Sequence, residues 1–516
     1  MTNRHTAKSR IAKNTMLLYV RQLFVLVLAL YTSRLTLQVL GESDFGVYVA
    51  VGGLTALLSI ITSSMSSSTQ RFMTFELGRK NFDRLNLIYV TSVQIHTILS
   101  VVFVLFAEVL GLYFIYYHMV LPHDRLDVTF WVFQFSIINC VLGLINIPNN
   151  AAIIAHEDMG VFSLFSILDA LLKITVVICL SYISWDKLLF YAFFLLVIQI
   201  INRTIAIVWC HIKYAECHYI HKVDKVLIRQ MFNFAGWDGL MNLSVSGFIQ
   251  GVNILLNVFF GPAMNAAYSV AMQAYSGIRS FCSNFQLASN PQIVKLYSEG
   301  NNDEMVKLVY MVCKISFFLI FALSLPFLLN ANYILGLWLV QVPEHTTVFF
   351  CILLIYAYIN VWVYPLDVCA KATGKLKRYS LIVSLITIVP LPLAFILYHF
   401  VAIPEIIYYI AIFSSFCGII AQINCLRPLI GIKVSSFMYK VVFNCCFTAA
   451  IAIIIPYSFS YISTTSLFDI FLSFFISIAS SIISIYFIGL DSRERNTVWG
   501  VVDLCKNKLR LKFKML

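Results

Sequence analysis

Apolar runs long enough to cross a membrane alternate with short polar segments along almost the whole chain. An α-helix rises about 1.5 Å per residue, so about twenty apolar residues span the roughly 30 Å hydrocarbon core of a bilayer. The pattern therefore predicts about fourteen membrane-spanning helices, of which the eighth, rich in Ser, Gln and Asn, is the most polar. The predicted ranges are 14–38, 44–66, 87–116, 128–150, 160–182, 188–210, 233–259, 266–289, 306–328, 346–368, 379–400, 405–426, 434–456 and 467–489.

The composition points to the same class of protein. Hydrophobic residues make up 60% of the chain and charged residues only 12%, whereas soluble domains carry about 25% charged residues. The sequence thus predicts an all-α polytopic membrane protein.

Basic residues outnumber acidic ones by 36 to 24, a balance that also occurs in nucleic-acid-binding proteins. Here the distribution follows the positive-inside rule. If the amino terminus is cytoplasmic, nearly all basic loop residues fall in inner segments, and the outer loops hold only Arg125 and Lys187. We therefore expect both termini in the cytoplasm, a basic tail lying on membrane lipids, and no nucleic-acid partner.

An internal repeat appears at an offset of 220 residues. Four residues of the first copy recur in the second: Gly41, Tyr48, Asn81 and Asp83 match Gly261, Tyr268, Asn301 and Asp303. Six helices before and six after predict two lobes with substrate between them. The predicted divisions are an N-lobe at 1–210, a cytoplasmic linker at 211–232, a C-lobe at 233–427, two extra helices at 428–490 and a basic tail at 491–516.

Several stretches resemble the polysaccharide and O-antigen flippases of the multidrug/oligosaccharidyl-lipid/polysaccharide (MOP) exporter superfamily. They read NTMLLYVRQLF, LYTSRLTLQVLGESDFGVYVAVGG, SSMSSSTQRFMTFELGR and NAAYSVAMQAYSGIRSF. The resemblance implies a MATE-like pair of six-helix lobes with alternating access in a bacterial inner membrane. It implies as cargo an undecaprenyl-pyrophosphate-linked oligosaccharide for surface polysaccharide such as O-antigen or capsule. It also implies a monomer with the polysaccharide polymerase machinery as a candidate partner.

A sugar–pyrophosphate headgroup is hydrophilic and about doubly negative, so desolvation opposes its passage through lipid. Arginine suits such a cargo because its planar fork binds phosphate bidentately. Arg279 is the leading candidate, since it lies near the midpoint of the polar eighth span with Gln273 and Asn284. A buried structural partner is the alternative role for Arg279.

Arg21 and Arg34 lie near the two ends of the first span, where snorkelling to the headgroups is an alternative to substrate binding. They are 13 residues apart, which places them about 140° apart around the helix. The resemblance favours both positions, because the family commonly keeps cavity arginines on its first and eighth helices. The family often has another on the second helix, whereas the second span here is uncharged up to Arg71.

Other charged residues lie inside predicted spans. Asp169 and Lys173 are spaced i, i+4, so they are predicted to form either a structural pair or an ion-coupling site. The remaining candidates are Arg203 and Lys314 for substrate and Asp238 for ion coupling. For Lys314 and Asp238, which lie near the inner face, we expect snorkelling.

The chain carries no cofactor signature. The run CHIKYAECHYIH, from Cys210 to His221, has metal-ligand residue types without a standard zinc spacing, so a solvated linker is expected. No Walker loop is present, and the thirteen cysteines follow no disulfide framework. We therefore predict neither metal nor other cofactor, and a transporter rather than an enzyme.

Three other functions remain open. A cation-coupled multidrug antiporter of the same superfamily predicts acidic rather than basic cavity residues. A lipid II flippase would share the architecture and differ in its headgroup contacts. A membrane glycosyltransferase or polymerase would need a large outer loop or a catalytic domain, and the longest predicted outer loop is 329–345.

Overall fold

The computed structural model describes residues 2–56, 59–117, 125–183, 185–218, 222, 224–338, 342–462, 467–492, 494 and 495. All regular structure in these ranges is helical. Within these described ranges, eleven helices are long and apolar enough to cross a membrane. The predicted spans 14–38, 44–66 and 266–289 are also helical throughout their described residues. The prediction of an all-α polytopic membrane protein is confirmed.

The helices of the first part of the chain are α1 (Thr2–Ala56), α2 (Ser59–Gly78), α3 (Phe82–Phe106), α4 (Leu112–Tyr117), α5 (Leu126–Ala155), α6 (Met159–Leu180) and α7 (Lys187–Lys213). Those of the second part are α8 (Lys225–Ser298), α9 (Asn302–Leu329), α10 (Ala331–Trp338), α11 (Thr346–Thr373), α12 (Lys377–Ile388), α13 (Pro390–Tyr398), α14 (Ile406–Ile430), α15 (Val434–Phe437), α16 (Asn444–Ile462) and α17 (Leu467–Ser484). Short π-helices lie at Ala107–Gly111, Met438–Phe443 and Ile485–Gly489, and a 3₁₀ turn at Ala215–Cys217.

Two glycines kink the longest helices. Gly41 in α1 has φ 79° and ψ 170°, and Gly261 in α8 has φ 84° and ψ 177°. Positive φ with extended ψ is essentially restricted to glycine. At both kinks an added Cβ would meet no atom within 4 Å, so backbone conformation rather than space requires glycine.

The repeat extends from these glycines to the turns that follow them. Lys80 and Gly300, again 220 residues apart, both have positive φ, at 58° and 76°. The next residues, Asn81 and Asn301, start α3 and α9, and each amide N–H donates to the carbonyl five residues earlier at 3.1 and 3.0 Å. The two copies therefore share unusual backbone conformations as well as residues.

Internal packing divides the chain into two units. One comprises residues 16–239 and the other residues 1–15 with 240–516. In the first, Tyr89 of α3 donates its hydroxyl hydrogen to Asn149 Oδ1 of α5 at 2.9 Å. In the second, Phe317 of α9 stacks on Trp362 of α11 with ring centroids 5.3 Å apart. The predicted boundaries between lobes, linker and tail stay predictions.

The first part of the predicted linker is packed, which corrects the expectation of a solvated segment. Glu216 and Cys217 are buried, and His156 at the end of α5 lies with its Nε2 2.5 Å from Glu216 Oε1. The ring of Tyr214 stacks on His156 at 4.1 Å. Asn86 of α3 donates to the Glu216 carbonyl at 2.8 Å. This part of the run is buried because these polar groups find partners at the ends of α3 and α5.

His221, Arg493 and residues 496–516 of the predicted basic tail lie outside the described residues.

The glycine kinks generate a stability prediction. Gly261→Ala should lower the free energy of unfolding by about 1–3 kcal/mol, because alanine must adopt the strained conformation or straighten α8. Gly236→Ala is the matched control, since Gly236 lies within the helical part of α8 with no atom within 4 Å of an added Cβ. There alanine should stabilise by about 0.5–1 kcal/mol through helix propensity. Thermal unfolding of the purified protein compares them, and equal effects at both sites would contradict the prediction.

The packed linker generates a pH prediction. Burial opposes ionisation of Glu216, but the hydrogen bond from His156, the backbone N–H and the charge of His156 together hold the pKa of Glu216 below its ordinary value. A lowered folded-state pKa stabilises the protein above the ordinary carboxyl pKa of about 4.3, and this contribution is lost as pH falls through the folded-state value. After correction for the intrinsic pH dependence of exchange, hydrogen exchange of residues 211–218 should therefore be faster below about pH 4.5. Glu216→Gln should already exchange faster at pH 7 and respond less to acid; an unchanged acid response would refute the assignment.

Candidate functional site

The part of α8 that follows the kink at Gly261 exposes a polar stripe. Its members are Ser269, Gln273, Ser276, Arg279 and Ser283. At 100° per residue they lie within about 120° of the helix circumference. Polar side chains exposed at membrane depth avoid lipid and line water-accessible space or pack against protein. The stripe therefore marks a hydrophilic face of this unit.

The adjoining face of α8 is buried and rich in tyrosine. Tyr268 and Tyr275 are 1% and 4% exposed. The Tyr268 hydroxyl lies 2.7 Å from that of Tyr408 on α14, and the Tyr408 ring contacts Tyr356 of α11 at 5.5 Å. We call Tyr268, Tyr275, Tyr356 and Tyr408 the tyrosine cluster. It fixes the rotation of α8 and thereby the direction of the stripe.

Arg279 lies where the stripe meets the tyrosine cluster. Its Nη1 donates to the Tyr275 hydroxyl, one turn earlier, at 2.9 Å. Within the part of the chain that the structure describes, this is the only hydrogen bond of the Arg279 side chain, and no carboxylate pairs with it. A guanidinium has five N–H donors. Among the described residues, only one of those of Arg279 has a protein acceptor, and the side chain lies on an exposed polar face. This arrangement suits an anionic ligand with several acceptor oxygens.

The two polar residues predicted beside Arg279 have different surroundings. Gln273 is exposed and belongs to the stripe. Asn284 is buried, and its Nδ2 donates to the Ser280 carbonyl at 3.1 Å. Around the helix, Gln273 and Asn284 lie only about 20° apart, at about 120° and 140° from Arg279. Gln273 belongs to the exposed stripe with Arg279, whereas burial keeps Asn284 out of it.

Two candidate arginines of residues 16–239, Arg21 and Arg203, have aromatic neighbours. Arg21 is half-buried, with Cζ 5.1 Å from the centroid of the Phe162 ring and Nη2 3.4 Å from Gln22 Oε1. Arg203 on α7 is half-buried and interacts electrostatically with Tyr89. The side chain of Arg34 lies outside the described residues.

Asp169 and Lys173 form the pair that their spacing predicts. Lys173 Nζ lies 2.7 Å from Asp169 Oδ2, and the two side chains are 44% and 30% exposed. Asn202 of α7 donates to the second carboxylate oxygen at 2.9 Å. The carboxylate is thus tied to both α6 and α7, while the pair stays partly exposed at the protein surface.

Two residues expected to snorkel are buried instead. Lys314 is 3% exposed, with Nζ 2.7 Å from Glu494 Oε2 and 3.8 Å from Asp491 Oδ2. This ion pair anchors the segment after α17 to α9. Asp238 in α8 is fully buried. Both side chains are enclosed by protein instead of extending along the surface.

The tyrosine cluster is the part of the site that sequence reasoning missed. Tyr268, Tyr275 and Arg279 are spaced i, i+7 and i+11, a helical periodicity that could have placed them together. Tyr356 and Tyr408 come from α11 and α14, and no local pattern joins them to α8.

No protein-family model matches the chain, and no curated protein matches it. Similar solved structures exist. A MATE transporter in the straight conformation has a TM-score of 0.71 and 15% identity, covering 83% of this chain and 96% of that one. An outward-facing multidrug resistance MATE family transporter of the MOP superfamily has a TM-score of 0.70 at 13% identity, with the same coverage. A MOP superfamily transporter from Pyrococcus furiosus gives 0.68 at 12%, again with the same coverage. The chain therefore has the fold of MATE transporters.

Proposed function

We propose that the protein is a flippase that moves a polyprenyl-pyrophosphate-linked oligosaccharide from the inner to the outer leaflet of a bacterial cytoplasmic membrane. The observation that carries this proposal is the exposed Arg279, held by Tyr275 and free of any carboxylate partner among the described residues. The oligosaccharide that the protein moves would supply surface polysaccharide synthesis, and the polysaccharide polymerase would be a downstream partner.

The residues around Arg279 fit both parts of such a headgroup. The pyrophosphate offers acceptor oxygens to the remaining guanidinium donors, and charge-assisted bonds of this kind are about twice as strong as neutral ones. Ser269, Ser276 and Ser283 donate to backbone carbonyls of α8, so their hydroxyl oxygens remain available as acceptors for sugar hydroxyls. The lipid tail would stay in the bilayer while the headgroup crosses along the stripe.

The charge balance favours this function over a cation-coupled drug antiporter. Of the acids discussed above, Asp238 is buried and Asp169 is paired with Lys173, whereas Arg279 is exposed and has no counter-ion among the described residues. For the MOP superfamily transporter from Pyrococcus furiosus, the reverse polarity of its binding pocket suggests a different function. Binding pockets of opposite polarity therefore occur on this fold.

The antiporter keeps one supporting observation. Asp169 is 30% exposed and is held by Lys173 and Asn202, so a competing cation or proton could displace Lys173. The same pair would serve ion coupling in a flippase. Lipid II is a second cargo with the same pyrophosphate chemistry.

The Arg279 assignment predicts a specific loss of transport. In cells depleted of the protein, Arg279→Gln should restore flipping about tenfold to hundredfold less well than wild type, because hydrogen bonds to charged groups contribute about 1.5–3 kcal/mol. Lipid-linked glycan should accumulate on the inner leaflet while surface polysaccharide falls. Arg378→Gln is the matched control, since Arg378 is exposed at the start of α12, in a predicted cytoplasmic segment.

Two outcomes would overturn this assignment. Full rescue by Arg279→Gln would remove Arg279 from the site. Unchanged glycan with reduced efflux of cationic dyes would favour the antiporter.

Tyr275 is predicted to position Arg279. Tyr275→Phe removes the acceptor at 2.9 Å, so the guanidinium loses its orientation while retaining its charge. In proteoliposomes the half-saturating cargo concentration should rise about twofold to tenfold, from the loss of about 0.5–1.5 kcal/mol, with the maximal rate largely kept. Tyr358→Phe, which removes a hydroxyl 2.6 Å from Ser324 Oγ, controls for loss of a tyrosine hydroxyl elsewhere. Equal half-saturation in wild type and Tyr275→Phe would show that Tyr275 is only structural.

A further inference from the structure

The starts of three helices are joined by charges in residues 16–239. Arg125, immediately before α5, pairs with Asp186, the N-cap of α7. Its Nη2 also lies 3.0 Å from Asp44 Oδ2, three residues after the kink at Gly41. The predicted topology places all three starts on the outer side of the membrane. An arginine keeps its charge at any physiological pH, so the positive charge of this connection does not change with pH in that range.

The second copy of the repeat builds the equivalent connection from different residues. His345, immediately before α11, has its Nδ1 2.6 Å from Oε1 of Glu405, immediately before α14. His345 follows Arg125 by 220 residues, and Glu405 follows Asp186 by 219. The position equivalent to Asp44 is Met264. This copy therefore joins two helix starts through a titratable cation.

We propose that His345 and Glu405 form a proton-dependent latch, the outer latch, at the predicted outer ends of α11 and α14. Glu405 is 4% exposed, so its carboxylate depends on protein partners in place of water. A protonated His345 supplies a charge-assisted hydrogen bond, whereas a neutral imidazole supplies at most an ordinary one. The contact is therefore strongest at low outer pH and weakens as pH rises through the range in which histidines ordinarily lose their charge.

Among the titratable groups near the outer latch, one other histidine, His399, could produce a pH response in the same range. These groups are Glu344, His399 and the phenols of Tyr333, Tyr398, Tyr408 and Tyr409. Carboxyl groups ordinarily titrate below pH 5 and phenols above pH 9. Tyr398 donates its hydroxyl hydrogen to the Pro404 carbonyl at 2.7 Å. His399 lies with Nδ1 2.9 Å from the Phe395 carbonyl and forms no ion pair among the described residues, so it serves as the control.

The experiment measures hydrogen exchange of residues 342–350 and 403–410 in the full-length protein in lipid nanodiscs. Rates at pH 5.5 and pH 8 are corrected for the intrinsic pH dependence of exchange. In the wild type, opening of these helix starts should be about fivefold more frequent at pH 8, which corresponds to about 1 kcal/mol for a partly exposed ion pair. His345→Arg recreates the chemistry of Arg125 and should keep exchange slow at both pH values.

His399→Gln should retain the wild-type pH response. Glu405→Gln should abolish that pH response and should exchange faster than wild type at both pH values. This variant tests the latch independently if His345→Arg does not fold. The proposal is overturned if His345→Arg keeps the wild-type response, or if His399→Gln alone removes it. Because the exchange measurement uses no cargo, its result does not depend on which cargo the protein carries.

Discussion

Backbone hydrogen bonding in hydrocarbon is the constraint on which the rest of this structure depends. No water is available there, so each spanning segment must satisfy its own N–H and C=O groups as a helix. Direction can change only where the chain tolerates a local exception. Gly41 and Gly261 provide that exception with one residue each. The kink at Gly261 joins two helical segments of α8, an apolar span before it and the segment with the polar stripe and Arg279 after it.

The same low dielectric sorts the charged side chains by their partners. Lys314 is buried with Glu494 and Asp491, and Asp169 is held by Lys173 and Asn202. These groups offset their desolvation with nearby opposite charge. Arg279 does not, because its one described partner is a neutral phenol. An unpaired guanidinium at the centre of a span costs about 2.5–3.5 kcal/mol, so such an arrangement is expected where a ligand supplies the missing charge.

Sequence patterns predicted the helices, the repeat and the position of Arg279, because each depends on periodicity or on residues close in the chain. The Asp169–Lys173 pair followed from spacing in the same way. The failures involve distant partners. Lys314 was expected to snorkel because nothing local indicates that Glu494, 180 residues later, packs against it. The linker was expected to be solvated, since its contacts with His156 and Asn86 come from other helices. The tyrosine cluster likewise joins α8 to α11 and α14.

The two copies of the repeat share a tyrosine contact after the kink but differ at the positions of Tyr275 and Arg279. A tyrosine follows each kink by seven residues and meets a tyrosine of a later helix: Tyr48 contacts Tyr191 at 5.0 Å, as Tyr268 contacts Tyr408 at 5.9 Å. A feature present in both copies serves the shared architecture. The positions of the first copy that correspond to Tyr275 and Arg279 are Thr55 and Ser59, so the cation and its hydroxyl partner belong to the second copy alone. This difference between the copies lies on α8 after Gly261, in the segment where we propose that the cargo binds.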